Sequence, residues 1–171
     1  RDFEYFIGCP GTLLAARDDL PCQIHTGHAR IQDSNPLLLV NLIEANPKTK
    51  FVLLHGGYPL VGETGALATK FRNVWVDSVW LPQISDTMAR RAYQEWLDVM
   101  PASRIMWGSD VQIPEGVYGA AELTRDCLAE ALAEKVAGGR LRLEYAERIG
   151  RQILRENALR LFPGLRDRLP R

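Results

Sequence analysis

The chain has 171 residues, of which 46% are apolar and 25% charged, and its 21 basic side chains balance its 21 acidic ones. These fractions are typical of a globular protein and exclude collagen-like, disordered and disulfide-scaffold classes. A net charge of zero argues against nucleic acid as the main ligand, because phosphate binding needs a basic surface.

The remaining bulk features predict a cytoplasmic protein that binds no membrane. No apolar run reaches the roughly 18 residues that a membrane span requires, and no signal peptide is visible. Cys9, Cys22 and Cys127 form no pairing motif, so we expect reduced thiols. Nine arginines against four acids between positions 138 and 171 predict an Arg-rich terminal helix and tail over 141–171, docked on a more acidic body.

Short apolar runs recur along the chain, each ending in polar residues beside Gly or Ser and each followed by a helical stretch. Runs of this length are typical of strands buried on both faces, as in a parallel sheet. The predicted strands are Pro21–Ile24, Phe51–Leu54, Val74–Val76 and Arg104–Trp107.

Helix signals separate and follow these runs. Asn35 is a good N-cap before Pro36, and Gly138-Gly139 is a natural helix stop. The predicted helices are Pro36–Ala45, Glu63–Phe71, Asp86–Met100, Glu115–Val136 and Arg142–Leu161. Alternation of strand and helix predicts an α/β fold.

Polar residues that can do chemistry stand at the ends of the predicted strands, namely His25, His55, Asp77 and Asp110. In parallel α/β folds, functional sites gather at the carboxyl ends of the strands. Neutral imidazole and carboxylate can hold a borderline cation, which lowers the pKa of its bound water. A neighbouring carboxylate can then take the proton of that water.

Simpler interpretations stand beside this one. A strand-end histidine also caps a loop by hydrogen bonding, and Asp77 is expected to accept backbone N–H groups. His28 is either structural or faces a substrate, while Trp80 and Trp107 can serve packing alone. No phosphate-cradling glycine pattern and no serine elbow follows any strand, which disfavours nucleotide-binding and serine-hydrolase functions.

Three motifs in fixed order resemble a known family. They are His-Thr-Gly at 25–27, Leu-His-Gly-Gly-Tyr-Pro at 54–59 and Trp-Gly-Ser-Asp at 107–110. Together they resemble the second half of an amidohydrolase-superfamily barrel, nearest to the amidohydrolase-2 type and to the amidohydrolase portion of nodulin/glutamine-synthetase fusion proteins. Asn-Pro-Leu at 35–37, Pro-Glu at 114–115 and Glu-Asn-Ala at 156–158 also fit, so the resemblance runs from about Pro21 to Phe162.

The resemblance implies strands 5 to 8 of a (β/α)₈ TIM-type barrel and a divalent metal site. His25 would be a metal ligand, and His55 either a second ligand or the group that orients the metal-bound water. Asp110 would be a ligand and the general base. Tyr58 and Trp80 would line the pocket for a small-molecule substrate. Zinc is the expected metal, with manganese or iron as alternatives, because His/carboxylate sets tolerate several metals.

One departure from the family is large. No histidine precedes His25, whereas family members carry a His-x-His pair on strand 1, and such a barrel needs roughly 200 residues or more. The sequence therefore predicts a single partial domain over 1–171, the C-terminal half of the barrel, with the N-terminal half absent or on a separate chain. Open strand edges promote aggregation, so we expect them to be covered by terminal segments, a second copy or the missing half.

Three functions follow from these features. The first is a metal-dependent hydrolase that attacks an amide, ester or ring C–N bond, with the isolated chain inactive. The second is a non-oxidative decarboxylase of aromatic acids from the same superfamily. The third is a non-catalytic assembly module that keeps the barrel architecture without a complete metal site.

Overall fold

The computed structural model describes residues 11–28, 32–162 and 164–165. Its sheet is parallel throughout and ordered β1-β2-β3-β4, which confirms the predicted α/β class. The strands are β1 (Cys22–His25), β2 (Phe51–Leu54), β3 (Val74–Asp77) and β4 (Ile105–Met106). His25 and Asp77 are thus the last residues of their strands, because the ladder extends one residue past each apolar run.

Helices follow each strand close to the predicted positions. They are α1 (Val40–Ala45), α2 (Val61–Lys70), α3 (Leu81–Ile84), α4 (Asp86–Val99), α5 (Pro114–Ala137), α6 (Leu143–Arg151) and α7 (Asn157–Leu161). A 3₁₀ turn over Pro36–Leu39 precedes α1, and the Asn35 side chain caps it by accepting the Leu37 N–H. A π-helical turn over Gln152–Glu156 joins α6 to α7, so the predicted last helix is divided into three segments.

The main core lies between one face of the sheet and the helices. Alternate residues of the inner strands point toward it, as the period of two in a strand requires. Its largest fully buried side chains include Phe51, Leu53, Ile43, Tyr93, Trp96 and Leu128. No helix in the described part of the chain is long and apolar enough to cross a membrane. Cys22 and Cys127 are free thiols there, while Cys9 lies outside the described residues.

The terminal helix covers the other face of the sheet near β4. Leu161 packs with Val52 and Met106 in a second apolar cluster. Asn157, only 1% exposed, donates from Nδ2 to the carbonyl oxygens of Ala102 at 2.7 Å and Ile105 at 2.8 Å. These bonds anchor α7 beside β4, so a terminal segment covers part of that strand.

Arg104 joins the end of α2 to the start of β3. Its Nη1 lies within hydrogen-bond distance of the carbonyl oxygens of Ala68 at 2.6 Å, Phe71 at 2.8 Å and Val74 at 3.1 Å. We expect Arg104→Met to lower the free energy of unfolding by about 2–3 kcal/mol, because it leaves these carbonyls without their charged donor. Urea denaturation checks this. The same change at exposed Arg91 should stay within about 0.5 kcal/mol, and equal losses would contradict the assignment.

Candidate active site

Two of the predicted ligands meet at the carboxyl ends of β1 and β2. His25 is paired with Leu54 in the sheet, which brings His55, the next residue, beside it. His25 Nδ1 and His55 Nε2 are 2.9 Å apart, and the ring centroids are separated by 4.3 Å. His55 is buried, whereas His25 is exposed. One nitrogen of each imidazole therefore points toward the other, at the carboxyl edge of the sheet where the sequence predicts the site.

Glycines allow the two loops that carry these histidines to approach. At Gly27 (φ +73°) a Cβ would lie 2.2 Å from the carbonyl oxygen of Tyr58, and at Gly57 (φ +70°) it would lie 2.0 Å from Thr64 Oγ1. Thr26 Oγ1 donates to the Leu54 carbonyl at 2.6 Å and ties the strand ends together. Gly27 is thus required by close backbone packing, and Gly57 by the Thr64 side chain and its own left-handed backbone.

The protonation of the pair suits metal binding. His25 Nε2 lies 2.5 Å from the carbonyl oxygen of His28, which can only accept, so this nitrogen carries the proton and Nδ1 presents its lone pair to His55. Metal-bound histidines commonly donate their other N–H to such a carbonyl. Burial is the largest influence on His55, and it lowers the pKa of this group and favours its neutral form.

The donor chemistry therefore fits a divalent metal, although the full predicted ligand set does not converge. Two nitrogens on one tetrahedral zinc lie about 3.3 Å apart, a few tenths of an ångström beyond the observed separation. Yet across residues 11–28, 32–162 and 164–165 no group of three His, Cys, Asp or Glu side chains is arranged to hold a metal. Asp110 is exposed, so its place as third ligand stays a prediction.

Trp80 connects the histidines to the segment that carries Asp110. Its indole Nε1–H donates to the Asp110 carbonyl oxygen at 3.0 Å. Its ring centroid lies 5.7 Å from that of His55 and 5.5 Å from that of His28. Left-handed backbone at His55 (φ 62°), Trp80 (φ 61°) and Asp110 (φ 47°) marks all three turns, and such strain in non-glycine residues concentrates at functional sites.

An open cleft of about 580 Å³ lies beside this cluster. It is lined by His28, Trp80, Gln83, Ile84, Asp110, Val111, Gln112 and Ile113. Tyr58 packs against the main core instead, so its predicted contact with substrate stays a prediction. Gln83 and Gln112 are lining residues that sequence reasoning missed, because an isolated glutamine belongs to no motif with diagnostic spacing.

Asp77 has the role expected from its position after an apolar run. Its Oδ1 accepts the Val79 N–H at 2.9 Å, and this bond, with the nearby Gly108 N–H, acts to lower the pKa of the carboxyl. Burial is the main influence on the group and raises the pKa of Asp77 to about 6. The interpretation that Asp77 satisfies backbone donors is confirmed.

This pKa predicts a pH dependence of stability. Because the folded carboxyl titrates near pH 6 and the unfolded one near 3.8, the folded state binds more protons between these values. The free energy of unfolding should therefore fall as pH rises from 4 to 7, by about 1–3 kcal/mol from this group. Urea denaturation at pH 4.5 and 7.5 should show the fall, and Asp77→Asn should remove it. An identical slope in both proteins would contradict the prediction.

Comparisons with known proteins agree with the resemblance noted in the sequence. A family model described as amidohydrolase matches residues 1–164. Protein fluG of Emericella nidulans is 33% identical over 148 residues, which are 83% of this chain and 17% of that protein. A Lactobacillus casei protein described as a metal-dependent hydrolase superposes with a TM-score of 0.75 at 26% identity, covering 92% of this chain.

A second solved structure supports the fold alone. Uronate isomerase from Thermotoga maritima superposes with a TM-score of 0.74 at 16% identity, covering 94% of this chain. The chain spans 44% of the Lactobacillus casei protein and 41% of the isomerase. The four parallel strands thus correspond to part of a TIM-type barrel, as predicted.

Proposed function

The chain belongs to the amidohydrolase family, and on that premise we propose that the barrel it forms part of is a metal-dependent hydrolase. The observation that carries the proposal is the pair of facing nitrogens, His25 Nδ1 and His55 Nε2, 2.9 Å apart at the ends of adjacent parallel strands. The bonds attacked would be amide, ester or ring C–N bonds.

Each residue has a distinct part in this reaction. His25 and His55 would hold the metal, with Asp110 as the further ligand. When bound, a divalent metal supplies an activated water at neutral pH and polarises the bond under attack. The Asp110 carboxylate would accept the proton of the water and return it to the leaving group. Trp80 and His28 would bind the substrate and exclude bulk water from the cleft. We propose zinc, with manganese or iron as alternatives.

A non-catalytic assembly module is the second candidate. It is favoured by one observation, that no three-residue ligand set is found among the described side chains. Two imidazoles alone leave a metal open to solvent and loosely held, since structural and catalytic zinc sites use three or four protein ligands. On this alternative His25 and His55 would serve to join the ends of β1 and β2.

Metal content separates the two candidates. Elemental mass spectrometry on protein purified without chelator or added metal should find about one zinc or manganese per chain. His25→Ala and His55→Ala should each abolish it, because each removes one of the facing nitrogens. His28→Ala is the matched control and should retain the metal, since its backbone carbonyl, not its ring, bonds to His25. A parent chain without metal, or an equal metal content in the parent chain and all variants, would favour the non-catalytic assembly module.

We also propose that a second barrel half covers the free strand edges. Within the described part of the chain β1 pairs with β2 alone, and Leu13, Leu14 and Leu20 ahead of it are 61%, 51% and 59% exposed. Beside β4, the buried Oδ1 of Asn157 has no hydrogen-bond partner among the described residues, although its Nδ2 bonds two carbonyls. An incoming strand would offer a backbone N–H to this oxygen.

Light scattering coupled to size-exclusion chromatography tests the need for a partner. Parallel strands are normally covered, so we expect the chain alone to self-associate or aggregate as its concentration rises. Co-expression with the part of the Lactobacillus casei protein that this chain does not match should suppress the self-association. A stable monomer at every concentration would contradict the proposal.

A further inference from the structure

We infer that Asp77 is a positioning residue whose carboxylate joins the segments following β3 and β4 and so sets where Trp80 and Asp110 stand in the cleft. The part of this inference that concerns Asp110 rests on the proposed function. The part that concerns Trp80 rests on geometry alone. Asp77 is absent from the residues that line the cleft, so it acts through these two neighbours.

The carboxylate contacts both segments at once. Asp77 is the last residue of β3 and lies opposite Met106 of β4. Its Oδ1 accepts the N–H of Val79, on its own segment, at 2.9 Å, and the Gly108 N–H of the other segment acts to lower the pKa of the carboxyl. A Cβ on Gly108 would stand 3.7 Å from Asp77 Oδ2, so the backbone there lies directly against the carboxylate.

Other bonds between the two segments run in one direction. Ser78 donates to the Met106 carbonyl from its backbone N at 3.0 Å and from Oγ at 3.2 Å. Trp80 Nε1–H donates to the Asp110 carbonyl at 3.0 Å. In each case the β4 segment accepts, whereas at Asp77 the Gly108 N–H of that segment favours a carboxylate beside it. Hydrogen bonds to a carboxylate are roughly twice as strong as neutral ones.

Both segments need such an anchor because each contains a strained turn. Trp80 (φ 61°) and Asp110 (φ 47°) adopt left-handed backbone, which costs of order 1–3 kcal/mol at a non-glycine residue. Trp80 and Ile84 line the cleft from the segment after β3, and Asp110 and Ile113 line it from the segment after β4. Asp77, at the end of β3, lies between the starts of these two segments. Loss of its link to Gly108 would free each turn to relax.

Asparagine at position 77 is the sharpest change, because it keeps the shape of the side chain. Its single amide oxygen can accept one N–H well, while its NH₂ group faces the other donor. One of the two links, to Val79 or to Gly108, must therefore weaken. The Trp80 indole N–H, which bonds across the two segments, reports the effect.

The first measurement is hydrogen exchange of the Trp80 indole by ¹⁵N NMR, with its signal assigned through Trp80→Phe. Asp77→Asn should speed exchange at this indole about tenfold or more and leave Trp75 and Trp96, which lie outside both segments, unchanged. Thr124→Ala is the control, because it removes a buried bond to the Ala120 carbonyl far from both segments. Unchanged exchange in Asp77→Asn, or the same change in the control, would overturn the inference.

If Asp77→Asn does not fold, Asp77→Glu provides the same test. Glutamate keeps the charge but moves the oxygens by one methylene, so we expect a smaller but still local acceleration at Trp80. Exchange identical to the parent protein would overturn the inference.

The second measurement is titration with Zn²⁺ alone by calorimetry, in a double-mutant cycle with Asp110→Asn. Asp77→Asn should weaken Zn²⁺ binding about tenfold in the parent chain, because a metal ligand loses the residue that positions it. In the Asp110→Asn background the same change should leave Zn²⁺ binding unchanged. Equal weakening of Zn²⁺ binding in both backgrounds would overturn the inference that Asp77 acts through Asp110. A chain that binds no Zn²⁺ would contradict the proposed function instead, while the exchange at Trp80 still decides the role of Asp77.

Discussion

Replacing Asp110 by asparagine is expected to lower turnover by the completed barrel about 10²–10⁴-fold, the contribution of a general base, while leaving the fold intact. The amide has no basic oxygen to accept the proton of water. The Asp110 side chain is exposed and its backbone carbonyl, which holds Trp80, is retained in the variant. Steady-state rates on an ester and amide panel, with urea denaturation of the same proteins, measure both effects.

Asp126→Asn on exposed α5 is the matched control and should change neither rate nor stability. If Asp110 only caps its loop, the free energy of unfolding should instead fall by about 1–3 kcal/mol with unaltered turnover, which would end its catalytic assignment. Adding aromatic acids to the panel tests the decarboxylase alternative. Release of carbon dioxide without hydrolysis of any amide or ester would favour it.

Replacing Gly27 by alanine should produce the largest loss of stability, about 2–4 kcal/mol in the free energy of unfolding. A methyl group there would meet the Tyr58 carbonyl oxygen at 2.2 Å and Gly57 at 2.4 Å, and the φ of +73° is itself unfavourable for alanine. Backbone atoms cannot move aside as a flexible side chain can. The loops bearing His25 and His55 must therefore separate, and metal content should fall with stability.

Gly119→Ala is the control for this substitution. Gly119 lies inside α5 with nothing within 4 Å of an added Cβ, so alanine should raise the free energy of unfolding by about 0.5–1 kcal/mol through its helix propensity. Urea denaturation of both variants measures the contrast. A loss below about 1 kcal/mol for Gly27→Ala would show that the two loops are not packed as closely as described.

The candidate site was predictable in part because its residues follow strand ends. Parallel strands bring their carboxyl ends to one edge, so the meeting of His25 with His55 follows from the order of the motifs alone. The position of Asp110 was less accessible to such reasoning. It stands four residues beyond the end of β4, where the direction of the side chain depends on a left-handed turn and on the bond from Trp80.

Local signals in the sequence determined the α/β class, the strands, the longer helices and the family, because apolar periodicity, caps and ordered motifs are properties of neighbouring residues. Only the tertiary structure decided which loops touch. It packed Tyr58 against the core, brought Gln83 and Gln112 to the cleft, and set Asp77 between two backbone segments. These contacts join residues some 30 positions apart, and no spacing within a single segment encodes them. They depend instead on the register of the sheet and on glycines that allow close approach.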